Sequence, residues 1–594
     1  MAPVRRGIFG TLLDRVVGWK SSLPAETTNY TVESFRIPVG DKVHLAADLY
    51  RPLQPTKPKG TVLIRTPYGT GIVMAIAHAR PLAARGYQVL LSSCRGTNDS
   101  EGELDPGRNE AADGQAVVKW MRDQAWYTGS FAALGASYIG YVQWTLLSEN
   151  PPPDFIAAAI YTGPHDMSQF IWGTGALDSS IFSWADFATR QKRGDNQLSI
   201  MLALRSQQAE LKPVFDALPL LSATDKHYRE RFTSEMPPWL HKTLTNPDIT
   251  DEYWKPLQHG SALQKTNLPI FLTAGWYDLI LPQVMEQYYT LSQQNSNVAL
   301  TIGPWSHLEA GTGFNVLSET YDWFEQHVAK STAPSPRKSP VRVYVTGTNS
   351  WVNLPKWPPP PTPHTLFLSP NSSLSPAKPT SISPLNSPTP DSPSSFSTFK
   401  FSPLNPTPFT GTSPLFDRGG TTPSQRKPNT VLASRDDVIS FTTNPLPHDL
   451  QVCGKPVVYL YHASDTPFVD LHVTLSEVDG AGESRGVSER YLRLGGYGDK
   501  RGEREVERKG YEVGEGGEKR MELLDCAHVF RRGSRVRVMV AGGSHPRYLR
   551  NLGTGEDYAR SGEMREAVHT VRHCAGAESR VVLPVTEVKV EAVE

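Results

Sequence analysis

The stretch FAALGASYIGYVQWTLLSE, from Phe131 to Glu149, constrains this chain more than any other. Ala132, Ala133 and Leu134 make a short apolar run, GASYIG follows at 135–140, and Tyr141, Val142, Trp144, Thr145, Leu146 and Leu147 then read as a helix. A serine between small residues at a strand-to-helix turn has the form of a nucleophile elbow. The turn is tight enough that only Gly or Ala fits beside the backbone, and the hydroxyl is lifted clear of the sheet. The usual spacing is G-x-S-x-G; here Ile139 stands fifth and Gly140 comes one residue later. A G-x-S also occurs in ordinary turns, so the motif needs support from the rest of the chain.

That support comes from a series of apolar strands, each ending in a polar or glycine-rich turn. Val43, Leu45, Ala47 and Leu49 alternate as a half-buried strand stopped by Arg51-Pro52. TVLIRTPYG then carries Tyr68, YQVLLSSCRG carries Arg95, FAALGAS ends at Ser137, and IAAAIYTG carries Tyr161. LPIFLTAGWYD ends at Asp278, and VALTIGPWSH ends at His307. Helical patterns such as Glu110 to Asp123 lie between several of them. Continuous apolar strands alternating with helices predict an α/β fold, a parallel sheet covered on both faces. In such sheets the ligand crevice lies beyond the carboxyl ends of the strands, where these residues sit.

A serine hydroxyl becomes nucleophilic when a base takes its proton. The usual base is a histidine held in one tautomer by a carboxylate. In α/β-hydrolases the chain order is Ser, Asp or Glu, then His. Ser137, Asp278 and His307 supply that order, each in a turn directly after an apolar strand. The oxyanion needs two donors. The backbone N–H of Tyr138 is one candidate, and the phenol of Tyr68, in the turn RTPYG, is the other.

Residues 164–264 break the strand–helix rhythm and are rich in Trp, Phe and Leu. Lying between two strands, they read as an inserted helical cap over the crevice. Trp172 and Trp184 from the cap, with Leu279 and Ile280 after Asp278, are the candidate substrate contacts. From Val341 the character changes: VRVYVTG, HTLFLSP, DVISFTT, KPVVYLYHAS, VDLHVTLSEV, RVRVMVAGG and RVVLPV predict an antiparallel, jelly-roll-like sandwich. Pro370 to Pro428, dense in Pro, Ser and Thr, reads as a mostly disordered insert. Asp479 to Lys519 reads as a loose charged excursion around one strand.

The expected divisions are an N-terminal segment 1–28, an α/β-hydrolase domain over 29–163 and 265–335, the cap at 164–264, and the sandwich at 336–594. At about three domains, this fits a length of 594 residues. In the N-terminal segment Ile8, Phe9, Leu12, Leu13, Val16 and Val17 share one helical face, which predicts a short helix docking that face on a core. Asp14 and Arg15 interrupt it, so it lacks the continuous core of a secretion signal.

A formal net charge of zero weighs against nucleic acid or a membrane surface as the main partner. No apolar run approaches a membrane span. The four cysteines show no C-x-x-C pairing, which predicts free thiols in a reducing, cytoplasmic setting and no metal site.

With GASYIG, GWYD (275–278), GPWSH (303–307), TPY (66–68) and CRGTNDSEGE (94–103), the chain resembles the X-prolyl dipeptidyl-peptidase-like serine hydrolases, in the branch of the cocaine esterases and α-amino-acid ester hydrolases. AHVFRRGSRVR (527–537) and PRYLRNLGTG (546–555) resemble that family's jelly-roll domain. The resemblance implies an α/β-hydrolase with a cap and a jelly roll, no cofactor, and an oxyanion hole shared by Tyr68 and the Tyr138 N–H. It also accounts for the late glycine, since the family writes its elbow G-x-S-Y-x-G. One departure is Ser93, where the family is usually acidic, which leaves Arg95 without its expected ion-pair partner.

Three functions compete. The first is hydrolysis of a small-molecule carboxylic ester through an acyl-enzyme. The second is dipeptidyl-peptidase or amide acylase activity on the same machinery, which needs pocket carboxylates for a substrate ammonium; Asp166, Asp178 and Asp186 are the cap acids in question. The third is an inactive scaffold whose sandwich binds a partner. A homodimer stays open.

Overall fold

The structure, a computed structural model, describes residues 3–54, 57–195, 197–294, 297–333, 335–380, 395–410, 428–495 and 517–586. Among them, eleven strands form the first sheet. These are β1 (Val4–Arg5), β2 (Tyr30–Pro38), β3 (His44–Pro52), β4 (Thr61–Thr66), β5 (Gln88–Ser93), β6 (Phe131–Ala136), β7 (Phe155–Tyr161), β8 (Ile270–Tyr277), β9 (Val298–Ser306), β10 (Val341–Val345) and β11 (Ser350–Leu354). Their order is β1-β2-β3-β5-β4-β6-β7-β8-β9-β10-β11. β4 to β10 pair in parallel, flanked by antiparallel β1–β3 on one edge and β11 on the other.

Every residue of β4, β5 and β6 is buried, as a sheet covered on both faces requires. Alternate residues serve opposite cores. Leu63, Leu90 and Ala133 pack with Val117, Val118 and Met121 of helix Glu110–Arg122, whereas Val62, Ile64, Val89 and Leu91 pack with Leu82 and Phe324 on the other side. The expected α/β fold is present, with all the strands anticipated up to His307.

Helices including Met167–Trp172, Ser180–Lys192, Leu220–Phe232 and Pro238–Thr245 fill the connection between β7 and β8. They are fastened to the C-terminal region as well as to the sheet. The Ser179 N–H donates to the Arg547 carbonyl at 3.0 Å, the Leu549 N–H donates to the Leu177 carbonyl at 3.0 Å, and Arg547 pairs with Asp178 at 3.1 Å.

The second sheet system runs from Thr362 to Val585 and is almost wholly antiparallel. Three expectations need correction. The strand VRVYV does not open this sandwich: β10 continues the first sheet, Val341 opposite Leu300 of β9. The alternation of buried valines suits either sheet, and Arg337 settles the placement by donating to the Leu300 carbonyl at 2.8 Å beside its ion pair with Glu319 at 2.5 Å. The Pro/Ser-rich stretch is not uniformly without structure. Phe396–Phe401 pairs with Ala567–Cys574 and buries Phe399 and Phe401, because FSTFKF is free of proline and alternates. Residues 381–394 and 411–427 of that stretch lie outside the described residues, as do 496–516 of the charged one.

The third correction concerns α1 (Ile8–Lys20). It is helical, but it docks by the opposite face: Asp14 and Gly18 are buried, while Ile8, Phe9, Leu12, Leu13 and Val16 are exposed. The cause is Asp14, whose carboxylate receives Arg6 at 2.9 Å, Arg80 at 2.8 Å and the Tyr30 hydroxyl at 2.8 Å. Among the described residues, no helix is long and apolar enough to cross a membrane.

Candidate active site

Ser137 joins β6 to helix Tyr138–Ser148, with φ 56° and ψ −123°. A non-glycine residue at positive φ is strained and persists only where its surroundings fix it. Here the Ser137 N–H is held by the Tyr161 carbonyl at 2.9 Å. The two glycines of the motif answer to close approaches. A Cβ on Gly135 would lie 2.1 Å from Ile139 Cγ2, and one on Gly140 would lie 2.8 Å from Gly163 Cα. The late glycine is thus required where the new helix crosses the chain leaving β7.

Asp278 follows β8, and His307 opens the short helix His307–Gly311 after β9. That helix start is fixed by a capping box, with the Ser306 N–H donating to Glu309 at 2.9 Å. The three side chains form one chain of hydrogen bonds. His307 Nδ1 donates to Asp278 Oδ1 at 2.9 Å, and His307 Nε2 accepts from Ser137 Oγ at 3.0 Å. Asp278 also receives the Ile280 N–H at 2.7 Å and is buried, so its carboxylate is fixed in direction. Thr162, itself at φ 43°, brings its hydroxyl to 3.3 Å from His307 Nδ1. Nothing in the motif reading singled out Thr162; its place after the apolar run IAAAIY was the only signal.

The two oxyanion candidates lie together, the Tyr68 phenol in hydrogen-bond contact with both Ser137 and the Tyr138 amide. Burial raises the Tyr68 phenol above its ordinary value, opposed by hydrogen-bond contacts with Trp184, Ser137 and the Tyr138 amide. The hydroxyl therefore stays protonated beside the serine. The Tyr138 ring stacks on Trp184, and its hydroxyl donates to Glu110 at 2.9 Å and accepts the Gly107 N–H at 2.7 Å. Glu110 in turn pairs with Arg65 of β4 at 2.5 Å. This buried chain fixes the residue that follows Ser137, and no local motif announces it.

Over Ser137 lies a cleft walled mainly by apolar and aromatic side chains, the character of a small-ligand site. Trp184, Leu279 and Ile280 line it, as expected. Trp172 does not. Its indole N–H donates to the Thr243 carbonyl at 3.0 Å and its ring meets Tyr558 edge-on. Helix Met167–Trp172 presents Met167, Phe170 and Ile171 to the cleft, and Trp172 sits one step further round. Trp239 and Trp254 complete the aromatic wall in its place.

The cap acids are committed elsewhere. Asp166 caps its helix through the Gln169 N–H at 3.0 Å, Asp178 pairs with Arg547, and Asp186 pairs with His227 at 3.1 Å. Among the described residues lining the cleft, Asp105 is the one carboxylate, and Arg108 lies 3.5 Å from it. Arg95 has a partner despite Ser93: Asp113 of helix Glu110–Arg122 takes it at 2.6 Å.

Comparison with known proteins bears on the whole chain. Residues 40–309 match the family model of X-Pro dipeptidyl-peptidase (S15 family), and residues 336–582 match the X-Pro dipeptidyl-peptidase C-terminal non-catalytic domain. Cocaine esterase from Rhodococcus sp. (strain MB1 Bresler) is 26% identical over 597 residues, covering 94% of this chain and 99% of that protein. Among solved structures, an aminopeptidase from a marine sediment Thaumarchaeota archaeon superposes with a TM-score of 0.75 at 20% identity, covering 94% of this chain and 96% of the other. An α-amino acid ester hydrolase does so with a TM-score of 0.75 at 21% identity, covering 95% and 98%. With a serine–histidine–aspartate hydrogen-bond chain at the carboxyl edge of the sheet and both family models spanning its two halves, the chain belongs to the X-Pro dipeptidyl-peptidase (S15) family of serine hydrolases.

Proposed function

We propose that this enzyme hydrolyses carboxylic esters of apolar, ring-bearing acids, with Ser137 as nucleophile, His307 as general base and acid, and Asp278 orienting His307. The observation that carries the reading is the unbroken hydrogen-bond chain ending at Ser137 Oγ beneath an aromatic, nearly carboxylate-free cleft. The Ser137 hydroxyl passes its proton to His307 Nε2 as the oxygen attacks the ester carbonyl. The Tyr138 N–H and the Tyr68 O–H are the two donors offered to the oxyanion as its charge develops. Protonated His307 then releases the alcohol, and a water activated by the same nitrogen frees the acid.

The second reading, removal of an X-Pro dipeptide or another amide acyl group, has the family description in its favour. The cleft weighs against it. A substrate ammonium needs an anionic partner, and Asp105 is already answered by Arg108. The four cysteines are free and buried, which supports the expectation of a reducing, cytoplasmic location.

A matched panel tests the choice: an aryl ester and an X-Pro dipeptide anilide, each assayed with wild type and with Ser137→Ala. The ester is expected to show the higher kcat/KM, and the Ser137→Ala protein to show neither activity. Preference for the anilide would assign the enzyme to the peptidase reading. Turnover by folded Ser137→Ala would remove Ser137 from the mechanism.

A further inference from the structure

The N-terminal helix is mounted the wrong way round for a core helix. Asp14, 1% exposed, is clamped by Arg6, Arg80 and Tyr30, and Gly18 lies so close over Arg85 that a Cβ there would meet its guanidinium at 2.6 Å. Arg6 is held further by both oxygens of Glu26 at 3.0 Å. The polar face is therefore the docked face, and it is rigidly docked. The opposite face carries Ile8 at 81% exposure, Phe9 at 89%, Leu12 at 55% and Trp19 at 79%. At 13 residues the helix displays this stripe along about 20 Å. The patch continues past the helix: Val4 and Ile72 line one groove beside Gly7 and Gly10, and Ile72 and Val73 are both more than half exposed. Contiguous exposed apolar surface of this kind marks an interaction site.

Charge says what covers it. The exposed charged side chains on and next to the helix are Arg5, Arg15 and Lys20; its one acid, Asp14, is buried. Arg15 lies 3.7 Å from Glu26 yet keeps 67% of its side chain exposed. A second copy of the chain is a poor occupant. Paired either way along the helix, two copies would set three cations against three, with no exposed acid on the helix in exchange. A surface that is apolar within and anionic at its rim answers both features. Phe, Leu and Trp on one face with Lys and Arg beside them is the pattern of a helix lying in the plane of a bilayer interface.

We propose that α1, with Val4, Ile72 and Val73, seats the enzyme on an anionic phospholipid surface, lying in the headgroup layer without crossing it. The overall net charge of zero does not oppose this, because the attraction acts over about one Debye length of the surface, and only the local cations count.

Co-sedimentation with vesicles tests it. The full chain is expected to sediment with phosphatidylcholine–phosphatidylserine vesicles and far less with phosphatidylcholine alone. Phe9→Asp combined with Leu12→Asp is expected to lower partition at least about tenfold, since it removes apolar area and adds like charge to the surface's own. Arg15→Gln combined with Lys20→Gln should bring binding to anionic vesicles down toward the level of neutral ones. All variants should keep wild-type hydrolysis of a small aryl ester, which reports that they are folded. No sedimentation of wild type, equal sedimentation with both vesicle types, or unchanged partition of Phe9→Asp/Leu12→Asp would overturn the proposal. So would a dimer, seen by analytical ultracentrifugation, that Phe9→Asp/Leu12→Asp dissolves while vesicles fail to bind.

Discussion

Two helices of similar length use their apolar residues in opposite ways. Helix Tyr138–Ser148 begins at the candidate nucleophile, and all eleven of its residues are buried. Helix α1 has a clear apolar stripe in sequence and exposes it, burying Asp14 and Gly18 instead. The first is enclosed on all sides by sheet, cap and neighbouring helix, so its direction follows from burial alone. The second lies at the margin, where a single carboxylate that can collect two guanidinium groups and a phenol decides the orientation. Periodicity tells which residues share a face; it does not tell which way the face points.

The largest effect is expected at the start of the buried helix. Ser137→Ala should lower kcat for a small aryl ester by about 10⁶-fold with the melting temperature little changed, as loss of a nucleophile within a concerted triad does. Next comes the clamp of the exposed helix. Asp14→Ala leaves Arg6 and Arg80 buried with their shared carboxylate gone, and removing one partner of a buried ion pair costs about 3–5 kcal/mol. Chemical denaturation of that variant should show the loss while the activity of the folded fraction stays at wild-type level. An unaffected midpoint would mean that Asp14 does not set the helix's orientation.

Tyr68→Phe probes the site from a neighbouring strand end. A single oxyanion donor contributes about 2.7–4 kcal/mol, so kcat should fall about 10²–10³-fold with KM nearly unchanged. A rise in KM in place of a fall in kcat would make Tyr68 a substrate contact. The smallest effect belongs to the exposed stripe. Phe9→Ser should shift stability by no more than about 0.5 kcal/mol, the usual range for an exposed site. A core helix with Phe at that position would lose several times more, so a large loss would overturn the outward orientation of α1.

Much of the site was legible because strand-end logic is strict. In a parallel sheet the residues that leave each strand at its carboxyl end meet in one crevice, which is how Ser137 and Asp278, at separate strand ends, come to hydrogen-bond His307 at 3.0 and 2.9 Å. The cap was less legible. Trp172 and Trp184 look alike in sequence, but the side of a cap helix that faces the cleft depends on how the helices pack on one another and on the C-terminal sheet system. Trp172 is turned to Tyr558, while Trp239 and Trp254 reach the cleft. The supporting chain from Tyr138 through Glu110 to Arg65 joins residues up to 73 positions apart and has no local signature. The Phe396–Phe401 strand was hidden by the proline-rich composition around it, although its own six residues alternate cleanly.

The central claim is that Ser137 becomes acylated by an ester in the aromatic cleft. The most direct measurement is rapid-quench mass spectrometry of the enzyme turning over an aryl ester of an apolar acid, followed by peptide mapping. A transient acyl adduct is expected on the peptide carrying Ser137, absent in Ser137→Ala and accumulating when His307→Ala slows deacylation more than acylation. An adduct on any other residue, or sustained turnover with Ser137 unmodified throughout, would contradict it.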